Sequence, residues 1–98
     1  MKITKKIENT MLNIALEGRL DTITAPEFEQ ELNDSLNGIT DFVLDLEKLD
    51  YISSAGLRVI LKAQKIMNTQ GRMKLTHVRD TIMEVFDITG FANILTIE

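Results

Sequence analysis

Two short segments near the amino terminus alternate apolar or long-stemmed residues with polar ones. These segments are residues 3–7 and 12–16, and the polar stretch 8–10 separates them. A period of two is typical of a strand that lays one face on a core. The pattern therefore predicts a two-stranded hairpin, and Gly18 is predicted to break its second strand.

The following segment changes to helical spacing. Thr24 and Glu27 have the spacing of a capping box, and Pro26 lies in the first turn, where proline is tolerated. One apolar residue per turn follows, at Phe28, Leu32 and Leu36. The pattern predicts a helix that begins near Thr24, packs on one face and ends at Gly38.

The middle of the chain predicts a strand and a second helix. Residues 42–46 form a nearly continuous apolar run, as expected for a central strand covered on both faces. Residues 55–69 return to helical spacing, with apolar side chains over more than half of the circumference, for which we expect core packing. These are Leu57, Val59, Ile60, Leu61, Ala63, Ile66 and Met67, and the basic residues Arg58, Lys62 and Lys65 share the remaining side.

A further strand and a third helix complete the pattern. Alternation at Met73, Leu75 and His77 predicts the strand. Helical spacing over residues 79–89 directs Ile82, Val85, Phe86 and Thr89 inward. Gly90 is the expected carboxyl-terminal cap. The apolar residues at 94, 95 and 97 predict an edge strand or a tail that lies on the core.

This order of elements predicts an α/β fold, a mixed β-sheet covered by about three to four helices. Strand-helix-strand connections require parallel neighbours, and the 42–46 strand is expected in the middle of the sheet. Sites in such sheets gather where the carboxyl end of a strand passes into a helix amino terminus. The turn formed by residues 53–56 lies at such a junction.

Composition limits the class of protein. The 98 residues fit one domain, spanning 1–98, and there is no cysteine. The first residues are charged and polar, unlike a signal peptide, and no stretch approaches membrane-spanning length, so we expect a cytoplasmic protein without a membrane span. The net charge is −4 and the basic residues are scattered, which argues against nucleic acid as a partner.

Ser53 and Ser54 are the residues of most interest in the 53–56 turn. Either hydroxyl can cap the following helix by accepting a hydrogen bond from an amide of its first turn. The same free amides and the positive end of the helix dipole also make the turn a favourable seat for a phosphate, and Gly56 removes a side chain nearby. Spacing alone leaves capping and phosphate binding both open.

The residues in this region resemble a known family. The runs Asp41-Phe42-Val43-Leu44-Asp45-Leu46 and Leu49-Asp50-Tyr51-Ile52-Ser53-Ser54-Ala55-Gly56-Leu57-Arg58-Val59-Ile60-Leu61 are similar to the signature of STAS domains of bacterial anti-sigma factor antagonists. Glu17-Gly18-Arg19-Leu20-Asp21 resembles the family's second motif. The predicted order of elements is similar over nearly the whole chain.

The resemblance implies a partner-switching regulator. Its unmodified form binds an anti-sigma factor that is also a serine protein kinase, and so releases a sigma factor for transcription. Phosphorylation of the motif serine, which is Ser54 here, ends the complex, and a serine phosphatase restores it. Asp21 is expected beside Ser54. The neighbours of Ser54 are Ser53 and Ala55, where well-known members often have an acid and a second serine.

Other classes of function find less support in the sequence. His77 is the only histidine, and no catalytic constellation, metal motif or cofactor motif is present, so we expect no enzyme, metal or cofactor. A nucleotide-binding module could use the Ser54 turn, although it lacks the glycine and lysine of a phosphate-binding loop. A STAS scaffold in a signalling or lipid-transport complex, without phosphorylation, would dock through the exposed part of the predicted helix between Leu57 and Met67. Its contacts would be Leu57, Arg58, Lys62 and Lys65.

Overall fold

The amino-terminal hairpin is confirmed by the structure. In the computed structural model, which describes residues 1–98, β1 (Lys2–Glu8) and β2 (Met11–Leu20) pair antiparallel, with Ile3 opposite Leu16. The turn between them places Asn9 at φ 56°, a left-handed conformation that asparagine tolerates better than most residues. The strands therefore pair in the register that places their apolar residues on one face.

The second strand does not end at Gly18, and that prediction is wrong. Gly18 has φ 105° and lies inside β2, which continues to Leu20. Its pairing with the next strand shifts between Ala15 and Glu17 and again between Gly18 and Arg19. A glycine at positive φ lets the strand bend through such irregularities without ending. This extension carries the chain to Asp21 at the carboxyl edge of the sheet.

The first helix, α1 (Ala25–Ser35), begins directly after Thr24, and Pro26 lies in its first turn as predicted. Phe28 and Leu32 are buried, so the helix packs on one face as predicted. It ends three residues before Gly38, which lies in the following turn with φ 82°.

The central strand β3 (Asp41–Ile52) is much longer than the predicted 42–46 segment. Buried residues occur at every second position as far as Leu46, and then at three-residue steps, at Leu49 and Ile52. The steps lengthen because the irregular register against β2 leaves extra residues on β3. A strand with this spacing does not show the period of two beyond Leu46.

The sheet has the order β1-β2-β3-β4, where β4 is Arg72–Thr76. β2, β3 and β4 are parallel neighbours and β1 is antiparallel, so the predicted mixed sheet, with β3 in its interior, is confirmed. The prediction that β3 is covered on both faces is wrong. Leu44 and Leu46 are buried under the helices, whereas Val43 and Asp45 point to the other face and are only partly buried. The helices therefore leave one face of the sheet uncovered.

The other helices are α2 (Ser54–Asn68) and α3 (Asp80–Thr89), and a 3-10 turn spans Phe91–Asn93. The apolar arc of α2 packs into the core as expected, and five of its members are buried: Leu57, Val59, Ile60, Ala63 and Met67. Gly90 adopts φ 79° and ends α3, which confirms the predicted cap. All 24 buried apolar residues form one cluster, so the sheet and helices share a single core.

The carboxyl-terminal residues lie on the core. Leu95 is buried, and Ile97 makes an isolated parallel bridge to Leu75 at the end of β4. Thr89 was expected to point inward, but it is exposed and its hydroxyl donates to the Val85 carbonyl at 2.7 Å. His77 lies just beyond β4, exposed, with φ 55°.

Candidate functional site

The candidate site lies where β2 and β3 end side by side. Leu20 pairs with Ile52, the last residue of β3, so the two following segments leave the sheet together. One segment is the turn from Asp21 to Thr24, which leads into α1, and the other is Ser53, which leads into α2. The Ser53 amide donates to the Leu20 carbonyl at 2.9 Å. The two motifs are therefore joined directly at this edge.

Ser53 caps α2. Its backbone is extended, with φ −97° and ψ 174°, and its Oγ accepts a hydrogen bond from the Gly56 amide at 3.3 Å. Its carbonyl accepts from the Leu57 amide at 2.9 Å. The side-chain contact satisfies an amide that has no partner inside the helix, and the carbonyl contact is the first regular hydrogen bond of α2. Of the two serines that the sequence left open as caps, Ser53 therefore has this role.

Ser54 has a different environment. It is the first residue of α2, it is exposed, and its hydroxyl makes no hydrogen bond within the protein. Ala55, which follows, is partly buried. The Ser54 hydroxyl is therefore accessible from solvent and uncommitted to the fold, unlike that of Ser53.

Gly56 allows α2 to begin against the end of β2. A Cβ at this position would lie 2.6 Å from the Leu20 Cγ and 2.9 Å from the Leu20 carbonyl oxygen. Contacts this short do not occur for real side chains, so any larger residue would force the helix start away from the strand. Gly56 is thus required for packing, a reason beyond the cleared space that the sequence suggested.

Asp21 organises the turn that leads into α1. Its Oδ1 accepts hydrogen bonds from the amides of Ile23 and Thr24, both at 3.0 Å, and from the Thr24 hydroxyl at 3.2 Å. The Thr24 Oγ1 also accepts from the Asp21 amide at 2.9 Å, and its single proton is shared between the Asp21 Oδ1 and the closer Arg19 carbonyl, at 2.8 Å. The predicted capping box is wrong, because Thr24 makes no side-chain cap to α1 and bonds back to Asp21 instead.

These contacts keep Asp21 ionised. The Thr24 amide lowers the pKa of Asp21 most, the Ile23 amide and the Thr24 hydroxyl add to this, and the Arg19 guanidinium contributes at 3.7 Å; partial desolvation opposes them. Hydrogen bonds to a carboxylate favour its charged form. A fixed negative charge therefore lies in the turn that is joined to the start of α2.

Three residues that sequence reasoning missed flank this site. Ile23 is 84% exposed at the tip of the Asp21–Thr24 turn, and Tyr51 is 41% exposed near the end of β3. The Arg19 guanidinium lies over the Tyr51 ring, 4.1 Å from its centroid. The available signal was the presence of an isoleucine in an otherwise polar turn and of a tyrosine two residues before Ser53. Exposed apolar and aromatic groups around an uncommitted hydroxyl suit a protein interface.

The basic side of α2 borders the same region. Arg58, Lys62 and Lys65 are exposed, and the Lys62 Nζ pairs with Glu29 of α1 at 2.7 Å. A shallow cleft of about 290 Å³ between α1 and α2 is lined by Thr22, Ala55, Arg58 and Lys62, among others. The predicted contact Leu57 is 4% exposed and lies in the core, so it is not part of this surface.

Other candidate groups lie elsewhere or are already paired. Asp50 pairs with Arg79 at 2.9 Å, and His77 pairs with Asp45 at 3.1 Å on the uncovered sheet face. The cleft of largest volume, about 480 Å³, lies at the amino ends of the strands, next to Asp41, and does not include Ser54. No group of three histidine, cysteine, aspartate or glutamate side chains is placed to hold a metal. None of the helices combines the length and apolar character needed to cross a membrane.

Comparison with known proteins agrees with the motifs and the fold. The STAS domain family model matches residues 2–98. BtrV of Bordetella bronchiseptica, which carries the name of an anti-sigma factor antagonist, is 39% identical over 99% of this chain and 85% of its own. The anti-sigma-B factor antagonist of Staphylococcus aureus is 27% identical over 97% of this chain and 90% of its own.

The fold is also that of a solved structure, the Bacillus cell fate determinant SpoIIAA in its phosphorylated form. The TM-score is 0.77 at 18% identity, and the match covers 99% of this chain and 91% of SpoIIAA. Three findings agree on the family of this chain. The two motifs are joined at one edge of the sheet, the family model spans nearly all residues, and one relative is 39% identical. The chain belongs to the STAS domain family, which includes the anti-sigma factor antagonists.

Proposed function

We propose that this chain is a partner-switching antagonist of an anti-sigma factor. The unmodified form binds an anti-sigma factor that is also a serine protein kinase. Phosphorylation of Ser54 by that kinase ends the complex, and a serine phosphatase returns the chain to its binding form. The exchange takes place in the cytoplasm, where the sigma factor and its regulators meet.

The observation that carries this proposal is that two adjacent serines differ in hydrogen bonding and exposure. Ser53 is committed to capping α2, whereas the Ser54 hydroxyl is exposed and has no hydrogen-bond partner. A kinase needs a hydroxyl that it can reach without opening the fold. The names of the relatives support the partner class, because BtrV and the Staphylococcus aureus protein are both named as anti-sigma factor antagonists.

The proposed docking surface consists of Ser54 and exposed residues of the neighbouring segments. Ile23 and Tyr51 supply exposed apolar area, and Arg58 supplies positive charge on the side of α2. Lys62 and Lys65 extend the basic edge along the helix. Apolar and aromatic residues at the centre of a surface, with charged residues at its rim, are the usual anatomy of a protein interface.

The direction of the switch follows from charge. A phosphoserine carries about −1.5 to −2 charges at neutral pH and needs water or donors around it. Its addition at the start of α2, which is joined to the turn of the ionised Asp21, raises like-charge repulsion and the cost of removing water at the interface. A loss of roughly 1 to 3 kcal/mol in binding would weaken the complex about fivefold to more than a hundredfold.

The test is to incubate the protein with an anti-sigma factor serine kinase of the same organism and magnesium ATP, and to map the phosphate by mass spectrometry. We expect one phosphate on Ser54 in the wild type and in Ser53→Ala, and none in Ser54→Ala. Modification of Ser54→Ala at the wild-type rate would show that the acceptor is another residue. Partner binding that is unaffected by Ser54→Glu would favour a constitutive scaffold.

A further inference from the structure

The basic side chains near Ser54 differ in whether they already have an interaction partner within the protein. Lys62 pairs with Glu29 at 2.7 Å, and Arg19 lies over Tyr51 and within 3.7 Å of Asp21. Arg58 is exposed and makes no ion pair or hydrogen bond within the protein. It is therefore the positive charge near Ser54 that is free to take a new partner.

Helix geometry places Arg58 within reach of Ser54. The two residues are separated by four positions in α2, so they lie on the same face, with Cβ atoms about 5 to 6 Å apart. Side chains on a helix lean toward its amino terminus, so Arg58 extends over the turn that contains Ser54. Arg58 also lines the cleft shared by Ala55 and Thr22, next to the turn held by Asp21.

A guanidinium is well matched to a phosphate at that position. Its parallel N–H groups can donate to two phosphate oxygens at once, which a lysine cannot do in the same fixed geometry. The pairing favours the doubly charged phosphate over the singly charged form, and it therefore lowers the second pKa of the phosphoserine. The Gly56 amide is already bonded to the Ser53 hydroxyl, and the side chain of Arg58 adds charged donors to the amides that remain free at the helix start.

We propose that Arg58 binds the phosphate of phosphorylated Ser54 through a side-chain pair within α2. The proposal rests on Ser54 being the acceptor, as argued above, and it adds a regulatory step at that site. Arg58 is free in the unmodified protein and is engaged by the phosphate in the modified one. Phosphorylation thus withdraws a cation from the docking surface as well as adding negative charge to it.

The experiment uses the full chain with phosphoserine installed at position 54 by genetic encoding, so that no kinase is required. The second pKa of the phosphate is measured by phosphorus NMR between pH 4 and pH 9 for the wild type and for Arg58→Gln. Lys65→Gln is the matched control, because it removes the same charge from the same helix at a position about 16 Å from Ser54 along the helix axis. Circular dichroism confirms that all three proteins are folded.

We expect the phosphate pKa to rise by about half a unit or more in Arg58→Gln and to stay at the wild-type value in Lys65→Gln. Equal pKa values in the wild type and Arg58→Gln would overturn the proposal. Equal rises in both variants would overturn it too, because they would indicate a general field rather than a specific pair. A kinase that fails to modify Ser54 would refute the proposed function, and it would leave this measurement unaffected.

Discussion

The different roles of Ser53 and Ser54 predict that stability and phosphorylation can be separated by single substitutions. Ser53→Ala removes the oxygen that accepts from the Gly56 amide. Loss of a serine cap costs about 0.5 to 2 kcal/mol, and the 3.3 Å length of this bond, slightly beyond the usual range, favours a cost of about 1 kcal/mol or less. Ser54→Ala removes no hydrogen bond, so the stability should change by less than about 0.5 kcal/mol.

Urea unfolding measures this difference directly. For a chain of this size, a loss of about 1 kcal/mol lowers the midpoint by roughly 0.5 to 1 M urea without a change in slope. The melting temperature should fall by about 4 to 8 °C. Ser53→Asp and Ser53→Asn serve as controls, since both side chains can cap a helix and should recover most of the loss.

The same variants are then compared as kinase substrates. Ser53→Ala should be less stable and still be phosphorylated, whereas Ser54→Ala should be as stable as the wild type and remain unmodified. If Ser54→Ala costs as much stability as Ser53→Ala, Ser54 has a structural role that its environment does not indicate. If Ser53→Ala costs nothing, the cap seen in the structure does not stabilise α2.

Three further substitutions test the surroundings of the site. Gly56→Ala places a Cβ 2.6 Å from the Leu20 Cγ, so urea unfolding should show a loss of about 1 to 3 kcal/mol; an unchanged midpoint would contradict the close packing. Asp21→Asn should reduce stability above about pH 5, where the lowered pKa of Asp21 stabilises the folded state, and the difference should shrink as the pH falls through that pKa. A difference that does not depend on pH would contradict the proposed hydrogen bonds to the carboxylate. Ile23→Ser should weaken partner binding about tenfold without a loss of stability, whereas Ile88→Ser, equally exposed on α3, should do neither; calorimetric titration distinguishes them.

Much of the fold was predictable because most elements obey one simple period. The hairpin and the three helices have regular apolar spacing, and Gly90 ends α3 in the conformation that glycine favours. The sequence predicts only the first part of β3, as far as Leu46. Beyond it, the buried residues change from steps of two to steps of three, because the register against β2 is irregular. Such irregularities depend on the neighbouring strand and are not visible in the spacing of one strand.

Local chemistry of the site was harder to predict than its position. The junction before α2 was identified from the order of elements, but the spacing of Thr24 and Glu27 indicated a capping box that does not form. Asp21 competes successfully for Thr24, because its carboxylate accepts two amides and the Thr24 hydroxyl together. The resemblance singled out Ser54 as the acceptor, but spacing alone does not show which of the two serines caps the helix, because that depends on where α2 starts.

The central claim is that a phosphate on Ser54 switches partner binding, and the most direct test is a pair of affinity measurements. The dissociation constant for the anti-sigma factor kinase is determined by calorimetry, once with the unmodified chain and once with phosphoserine installed at position 54. We predict that the modified chain binds about fivefold to more than a hundredfold more weakly. Equal affinities of the two forms would contradict the claim.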